Sequence, residues 1–139
     1  MNDDILSEII LNTSHKDLHA LCQTNHHVHQ VCQQTKYRLI QRDMTLLSHG
    51  INMYIPLRFN SIRFIIEYLN LKRNTNYGDI YGENEVQDNL VIKYLNIFLN
   101  YYGQYILIIT FHKSALVAYQ FETKNQIILF LGYLYSLIL

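Results

Sequence analysis

This 139-residue chain has few cysteines, few basic residues and no net charge, and each of these features excludes a class of protein. Two cysteines, Cys22 and Cys32, are too few for the disulfide framework of a small secreted domain. Lys and Arg together number 11, as do Asp and Glu, and no basic block occurs. Nucleic-acid binding requires a positive surface, so we expect no nucleic-acid partner.

A hydrophobic run long enough for a membrane span is also missing. The C-terminal stretch QIILFLGYLYSLIL is uncharged, but a spanning helix needs about 20 residues and charges lie just before it. The N-terminal stretch MNDDILSEII carries acids where a secretory signal needs positive charge. We therefore expect a cytoplasmic protein without a membrane partner, in a reducing setting that suits two isolated cysteines.

Signatures of catalysis are absent as well. The chain has no Gly-rich phosphate loop, no nucleophile elbow and no H-E-x-x-H motif. No paired acid, base or nucleophile stands out. We expect a protein that is not an enzyme and that holds no cofactor.

What the chain does have is apolar side chains, which make up 50% of its residues and suffice for a core. Its composition changes near residue 50, because most histidines precede that point and most tyrosines follow it. We predict an α+β fold in two units. Residues 1–49 form a helical module, and residues 50–139 form a small α+β unit with two helices and a C-terminal β-hairpin.

The first unit shows three helical patterns. Asn2 or Asp3 can cap the first helix, the segment SHKD resembles a capping box for the second, and Thr24 can cap the third, which runs on to Leu46–Leu47 before Gly50. The apolar positions of these helices recur at helical spacing. They are Ile5, Leu6, Ile9, Ile10, Leu18, Leu21 and Val28.

The second unit contains segments with helical spacing of apolar residues and segments that favour strands. INMYIPLRF favours an extended segment, a helical pattern starts at Ser61, and KRNTNYGDIYGENE is a polar loop. A further helix is predicted from Val86 to Tyr101, with Gly103 as its C-terminal glycine. QYILIITF and ALVAYQF then read as a hairpin, and QIILFLGYLYSLIL fits either a strand or a helix.

Histidine and cysteine cluster in HALCQTNHHVHQVC, residues 19–32. His19, Cys22, His26 and His29 would share one face of a straight helix, and zinc favours such ligands. No paired C-x-x-C and no second ligand pair accompany them, so we interpret the histidines as a solvated face. Cys22 and Cys32 are then small core side chains, with a disulfide between them as an alternative.

The segment DDILSEIILNTSHKDLHALCQTNHHVHQVC resembles the F-box, a three-helix module. Asp4 followed by Ile5, Leu6, Ile9 and Ile10 matches the opening of its first helix, although Met1-Asn2 stands where the family has Leu-Pro. Its Asp-Leu-x-x-Leu is present as Asp17, Leu18 and Leu21, and Tyr37 is the aromatic nearest to its usual Leu-Trp. The resemblance covers residues 1–43, and the LCQTN…C form is similar to F-box proteins encoded by large DNA viruses of protists.

The resemblance implies a non-enzymatic adaptor. F-box helices dock on a Skp-type adaptor of cullin-based ubiquitin ligases, and the rest of the chain recruits a target protein for ubiquitination. A viral origin would place this activity in the host cytoplasm. The expected partner-binding residues are the seven apolar positions of the first unit, whose complete burial would contribute about 1.5–3 kcal/mol each.

Two other hypotheses remain open from the sequence. In the first, the same apolar stripes close on the second unit, which makes a self-contained interaction protein, homodimeric or not, without a ligase role. In the second, His19, Cys22, His26 and His29 make a metal-binding regulator.

Overall fold

The structure, a computed structural model, describes residues 2–57, 65, 68–69, 92–111 and 116–139, without the side chain of Leu116. The complete elements in these ranges are α1 (Asp3–Asn12), α2 (His15–Cys22), α3 (His26–Ser48), β1 (Met53–Pro56), β2 (Ile92–Leu99), β3 (Tyr105–Phe111), β4 (Leu116–Gln120) and α4 (Lys124–Ile138). Helices and an antiparallel sheet in one chain confirm the predicted α+β class.

The first and third helices begin at asparagine caps. The side chain of Asn2 accepts a hydrogen bond of 2.7 Å from the backbone N–H of Asp4. The side chain of Asn25 accepts one of 2.9 Å from the N–H of Val28. The prediction that Thr24 caps the third helix is therefore wrong by one residue, because Asn25 supplies the oxygen that satisfies a first-turn N–H.

The second helix begins after Ser14 as predicted, but without the expected capping box. The hydroxyl of Ser14 makes no cap hydrogen bond to the backbone. It donates instead to Oδ2 of Asp17 at 3.2 Å. The short α2 therefore depends on its packing, since isolated helices of this length are marginal in water.

The four strands form one antiparallel sheet in the order β1-β2-β3-β4. Ile55 lies opposite Leu95, Leu95 opposite Ile109, and Ile109 opposite Val117. The first three of these side chains are fully buried, so this row marks the face of the sheet that packs on the helices. The hairpin predicted at the C-terminal end is the β3–β4 pair.

The helix predicted from Val86 to Tyr101 is wrong where the structure describes it, because residues 92–99 form β2. The segment IKYLNIFL has apolar residues at both helical and strand spacing, so local periodicity does not decide between them. Pairing with β1 on one side and β3 on the other supplies the hydrogen bonds of β2. Residues 86–91 of this prediction lie outside the described residues.

Gly103 lies in the turn between β2 and β3 and not at a helix end. Its φ of 77° is in the left-handed region that glycine adopts without steric cost. The side-chain oxygen of Asn100 accepts hydrogen bonds from the N–H groups of Tyr102 and Gln104 at 3.0 and 2.9 Å. These bonds fix the turn and present Tyr101 and Tyr102, which are 96% and 82% exposed, to solvent.

The ambiguous C-terminal stretch forms the helix α4. The side-chain oxygen of Thr123 accepts a hydrogen bond from the N–H of Gln126 and so caps it. Helices and sheet share one core. Its fully buried members include Ile10, Leu18, Leu39, Leu47, Ile55, Leu95, Ile97, Leu107, Ile109, Phe130, Leu131 and Leu134.

Two sequence predictions fall largely outside the described residues. They are the helix starting at Ser61, of which only residues 65, 68 and 69 are described and helical, and the polar loop KRNTNYGDIYGENE. Ile65 and Leu69 are buried, and the ring of Tyr68 stacks on Tyr133 of α4 at 4.7 Å between centroids. The division of the chain into units 1–49 and 50–139 stays a prediction.

Candidate functional site

The seven apolar residues predicted to bind a partner fall into three groups in the structure. Leu6, Ile10 and Leu18 are buried in the protein's own core. Leu21 and Val28 are half-buried and pack against that core. Ile5 and Ile9 are 57% and 41% exposed.

The helix α1 separates these groups because it lies along α3. Leu6 and Ile10, four residues apart, point into the core. Beside them, the hydroxyls of Ser7 and Thr35 lie 3.3 Å apart, and Nη2 of Arg38 donates to Oε1 of Glu8 at 2.9 Å. The flank of α1 one residue step before Leu6 and Ile10, about 100° around the helix, is exposed.

This exposed flank carries Ile5 and Ile9, which we call the α1 stripe. They stand one turn apart, so their side chains form a continuous apolar strip. Two carboxylates lie on one flank of the strip, those of Asp4 and of Glu8, which pairs with Arg38 at 2.9 Å. The strip is too narrow to need burial within a monomer, and scattered exposed apolar residues are normal. Its regular spacing on an acidic helix is what makes it a candidate docking element.

A polar network lies beneath this surface, between α2, α3 and α4. The carboxylate of Asp43 has no exposed side-chain surface. It accepts hydrogen bonds from Nε and Nη2 of Arg42 at 3.1 and 3.0 Å, and the hydroxyl of Tyr135 donates to its Oδ2. Nε2 of His15 lies 3.3 Å from that Oδ2 and 2.9 Å from the Tyr135 hydroxyl. A buried charge with this many partners is compensated rather than isolated.

Arg42 extends the network to the connection between α1 and α2. Its Nη1 donates to the carbonyl oxygen of Leu11 at 2.7 Å and to that of Thr13 at 3.3 Å. Carbonyl groups at a helix C-terminus lack intrahelical partners, so this guanidinium satisfies them. One side chain thus ties the end of α1 to Asp43 on α3 and Tyr135 on α4.

The burial of this network fixes the protonation of Tyr135. Burial raises the pKa of Tyr135 far above its ordinary value, and the nearby charge of Asp43 raises it further. The phenol therefore stays protonated and donates a hydrogen bond at every physiological pH. Asp43 and Tyr135 are both buried, so their hydrogen bonds are made within the protein.

One small pocket adjoins the network. It has a volume of about 80 Å³ and is lined by His15, Lys16, His19, Ala20, Pro56, Leu57 and Ile138. Typical small-molecule sites enclose roughly 300–1,000 Å³. This pocket is therefore smaller than a typical ligand site.

The histidine and cysteine residues do not form the metal-ligand set considered from the sequence. Sγ of Cys22 is bonded to Sγ of Cys32, so it is not a thiolate ligand. Nδ1 of His19 lies 2.7 Å from the carbonyl oxygen of Ile138. Among the described residues, no three His, Cys, Asp or Glu side chains are arranged to hold a metal ion. The metal-binding hypothesis stays a prediction, and Cys22 cannot serve as a ligand while the disulfide is formed.

The disulfide also changes the interpretation of the two cysteines. Both are completely buried, as predicted for core residues. The disulfide that the sequence left open as an alternative is formed, because the end of α2 and the second turn of α3 bring their Cα atoms to 6.0 Å. This distance lies in the usual range for disulfides.

Sequence reasoning missed Asp43, Arg42 and Tyr135. One signal was present, since Asp43 lies midway between Leu39 and Leu47 at the i+4 spacing of the buried face of α3. A carboxylate at such a position needs a buried partner. No comparable signal indicated that the partner would come from α4.

Comparisons with protein-family models, curated proteins and solved structures found no match for this chain. Among the helices that the structure describes, none combines the length and the apolar character needed to cross a membrane.

Proposed function

We propose that this protein is a non-enzymatic adaptor that binds a Skp-type protein of a cullin ubiquitin ligase through the α1 stripe. The observation that carries the proposal is the exposure of Ile5 and Ile9 on a helix whose other apolar face is already buried. Burial of these side chains by a partner would be favourable, because each still exposes apolar surface to water.

The acidic surroundings of the α1 stripe indicate the chemistry of its partner. Asp4 and Glu8 would face the rim of any surface that covers Ile5 and Ile9. A partner groove that is apolar in its centre and basic at its rim fits this helix, which is the usual arrangement when an amphipathic helix binds in a groove. The F-box resemblance of residues 1–43 supports a Skp-type adaptor as that partner.

The exposed turn between β2 and β3 suits the second role of an adaptor, which is to hold a target protein. Tyrosine contributes a large contact area at low entropic cost, and Tyr101 and Tyr102 stand on a turn fixed by Asn100. Their rings meet edge to face at 5.7 Å. We assign target contact to these two side chains.

A second candidate function is a self-contained interaction protein without a ligase role. The burial of Leu6, Ile10 and Leu18 in the protein's own core favours it, because the N-terminal helices need no adaptor to cover these positions. The two candidates differ in what Ile5 and Ile9 bind.

Co-precipitation of the full chain with a purified Skp-type adaptor tests the proposal. We expect Ile9→Asp and Ile5→Asp to lose binding at least about tenfold, because each places a charge in a contact that must be apolar. Both variants should keep wild-type circular dichroism, since neither residue is buried.

Leu129→Asp is the matched control. Leu129 is 59% exposed on α4, so the substitution adds the same charge at a similarly exposed apolar site away from α1. It should bind like the wild type. Failure of the folded wild type to bind the adaptor would contradict the ligase role and leave the self-contained interaction protein.

A further inference from the structure

The strand β4 forms one edge of the sheet, and no described strand pairs with its outer side. Its five residues, Leu116–Gln120, include no charged residue and no proline. An edge of this composition is a template for a further strand, since natural edges are usually blocked by charges, proline, bulges or a covering element.

The opposite edge is protected in just these ways. The strand β1 has only four residues and ends at Pro56, which has no N–H to offer. The helix α2 packs against β1. Within the described residues the two edges therefore differ, since β4 carries none of the blocking features that protect β1.

The backbone groups that β4 presents outward can be identified from the register. The N–H of Phe121 donates to the carbonyl oxygen of Tyr105 at 3.0 Å. Hydrogen-bonded positions alternate along an antiparallel pair, so Tyr119 and Val117 also point their backbone groups toward β3. The N–H and C=O groups of Ala118 and Gln120 then point away from β3, toward the open edge.

We propose that β4 pairs antiparallel with β4 of a second copy of this chain, which doubles the four-stranded sheet across a two-fold axis at Ala118. The N–H and C=O groups that point away from β3 must lie opposite the equivalent groups of the second copy, which restricts the register of the two strands. With Ala118 opposite Ala118 and Leu116 opposite Gln120, the pairing forms about six backbone hydrogen bonds. Val117 then lies opposite the partner subunit's Tyr119, an aromatic and β-branched pair that favours pairing.

A second copy fits this edge because the edge is self-complementary. A two-fold interface brings the same strand to both sides, so any charge in β4 would meet a like charge or lie near one. The strand has none. The dimer goes beyond the proposed adaptor role and uses a different surface, since β4 contains neither the α1 stripe nor Tyr101 and Tyr102.

Sedimentation velocity of the full chain over a concentration series tests the dimer without any adaptor present. The wild type should sediment as a dimer that dissociates on dilution. Ala118→Lys should weaken the dimer at least about tenfold, because it places two ammonium groups opposite each other at the axis. The side chain of Ala118 is exposed, so the monomer should fold.

Two further variants sharpen the test. Ala20→Lys, at an exposed alanine of α2, should sediment like the wild type. Ala118→Pro should also weaken the dimer while the β3–β4 pair remains, because the N–H that it removes points outward. A wild type that is monomeric at every concentration, or equal dimer strength for Ala118→Lys and Ala20→Lys, would overturn the proposal.

Cross-linking tests the position of the axis. In the proposed register the two Ala118 Cα atoms lie about 5.5 Å apart, within the range of a disulfide. Mild oxidation of Ala118→Cys should give a covalent dimer, whereas Ala20→Cys should stay monomeric on denaturing gels. Equal cross-linking of the two variants would rule out the axis at Ala118.

Discussion

Asp43 depends on its partners more than any other described residue, because its carboxylate is fully buried. Two donor groups of Arg42 and the hydroxyl of Tyr135 surround it, and His15 adjoins the same oxygen as Tyr135. Removing one partner of a buried charge costs more than forming the bond contributes, since the charge is left without water and without a replacement. The network therefore stabilises one arrangement of α2, α3 and α4.

We predict that Tyr135→Phe lowers the free energy of unfolding by about 1–3 kcal/mol, because Asp43 loses a donor and no cavity is made. Urea denaturation followed by circular dichroism measures the change. Tyr37→Phe, at a tyrosine that is 68% exposed, is the control and should leave the urea midpoint unchanged. Equal effects of the two variants would show that the Tyr135 hydroxyl does not stabilise the fold.

The difference in the free energy of unfolding between the wild type and Tyr135→Phe should depend on pH, which urea denaturation at several pH values measures. The folded pKa of Tyr135 is raised above its ordinary value of 10.0, so above pH 10 the unfolded chain releases a proton that the folded chain retains. Stability then falls as pH rises, and the contribution is fully present only below pH 10. The advantage of the wild type over Tyr135→Phe should shrink above this pH.

At the scale of elements, the disulfide holds the eight-residue α2 against α3. Cys22 and Cys32 are 10 residues apart, so the bond closes a short loop. We predict that reduction lowers the free energy of unfolding by about 3 kcal/mol, which is the usual effect of a cross-link across a loop of this length. Guanidinium denaturation with and without reductant measures it.

The control for this prediction is Cys22→Ala combined with Cys32→Ala. This variant should be less stable than the oxidised wild type and insensitive to reductant. Free thiols in the denatured, unreduced wild type would contradict the disulfide itself. The expected cytoplasmic, reducing location stays a prediction, and there the reduced form would be the relevant one.

Local signals predicted some elements well. The first three helices follow from cap residues and apolar spacing, although Asn25 and not Thr24 caps α3 and Ser14 makes no cap hydrogen bond to the backbone. The strands β3 and β4 follow from β-branched runs. The strand β2 was not predicted, because its apolar residues fit both helical and strand spacing. Its pairing with β1, which lies in a distant part of the sequence, favours the strand.

The polar network could not be predicted for a related reason. Asp43 and Tyr135 are 92 residues apart, and their contact exists only once α4 lies against α3. The α1 stripe was predicted as part of a set of seven residues, and only packing separated its two exposed members from the buried ones. Sequence alone therefore identified the candidate surface and not which side of it faces outward.

At the scale of the whole molecule, the two predicted units share their interior. The helix α4 packs against α3. Nε2 of Gln23 donates to the carbonyl oxygen of Leu139 at 3.0 Å, and Nζ of Lys36 donates to the hydroxyl of Ser136 at 2.7 Å. Contacts of this kind between residues 1–49 and the C-terminal helix favour a single cooperative unit.

We therefore predict that a destabilising substitution in α4 lowers the stability of all the elements together. Leu134 is completely buried, so Leu134→Ala should cost about 2–5 kcal/mol and should increase hydrogen exchange in α3 as well as in α4 and the sheet. Leu129→Ala, five positions earlier on the same helix and 59% exposed, is the control and should change neither. If α4 and the sheet lost protection while the amides of α1–α3 kept theirs, the chain would divide into two independent units near residue 49. The N-terminal helices would then be a module that folds without the rest, and their buried leucines would need a covering surface of their own.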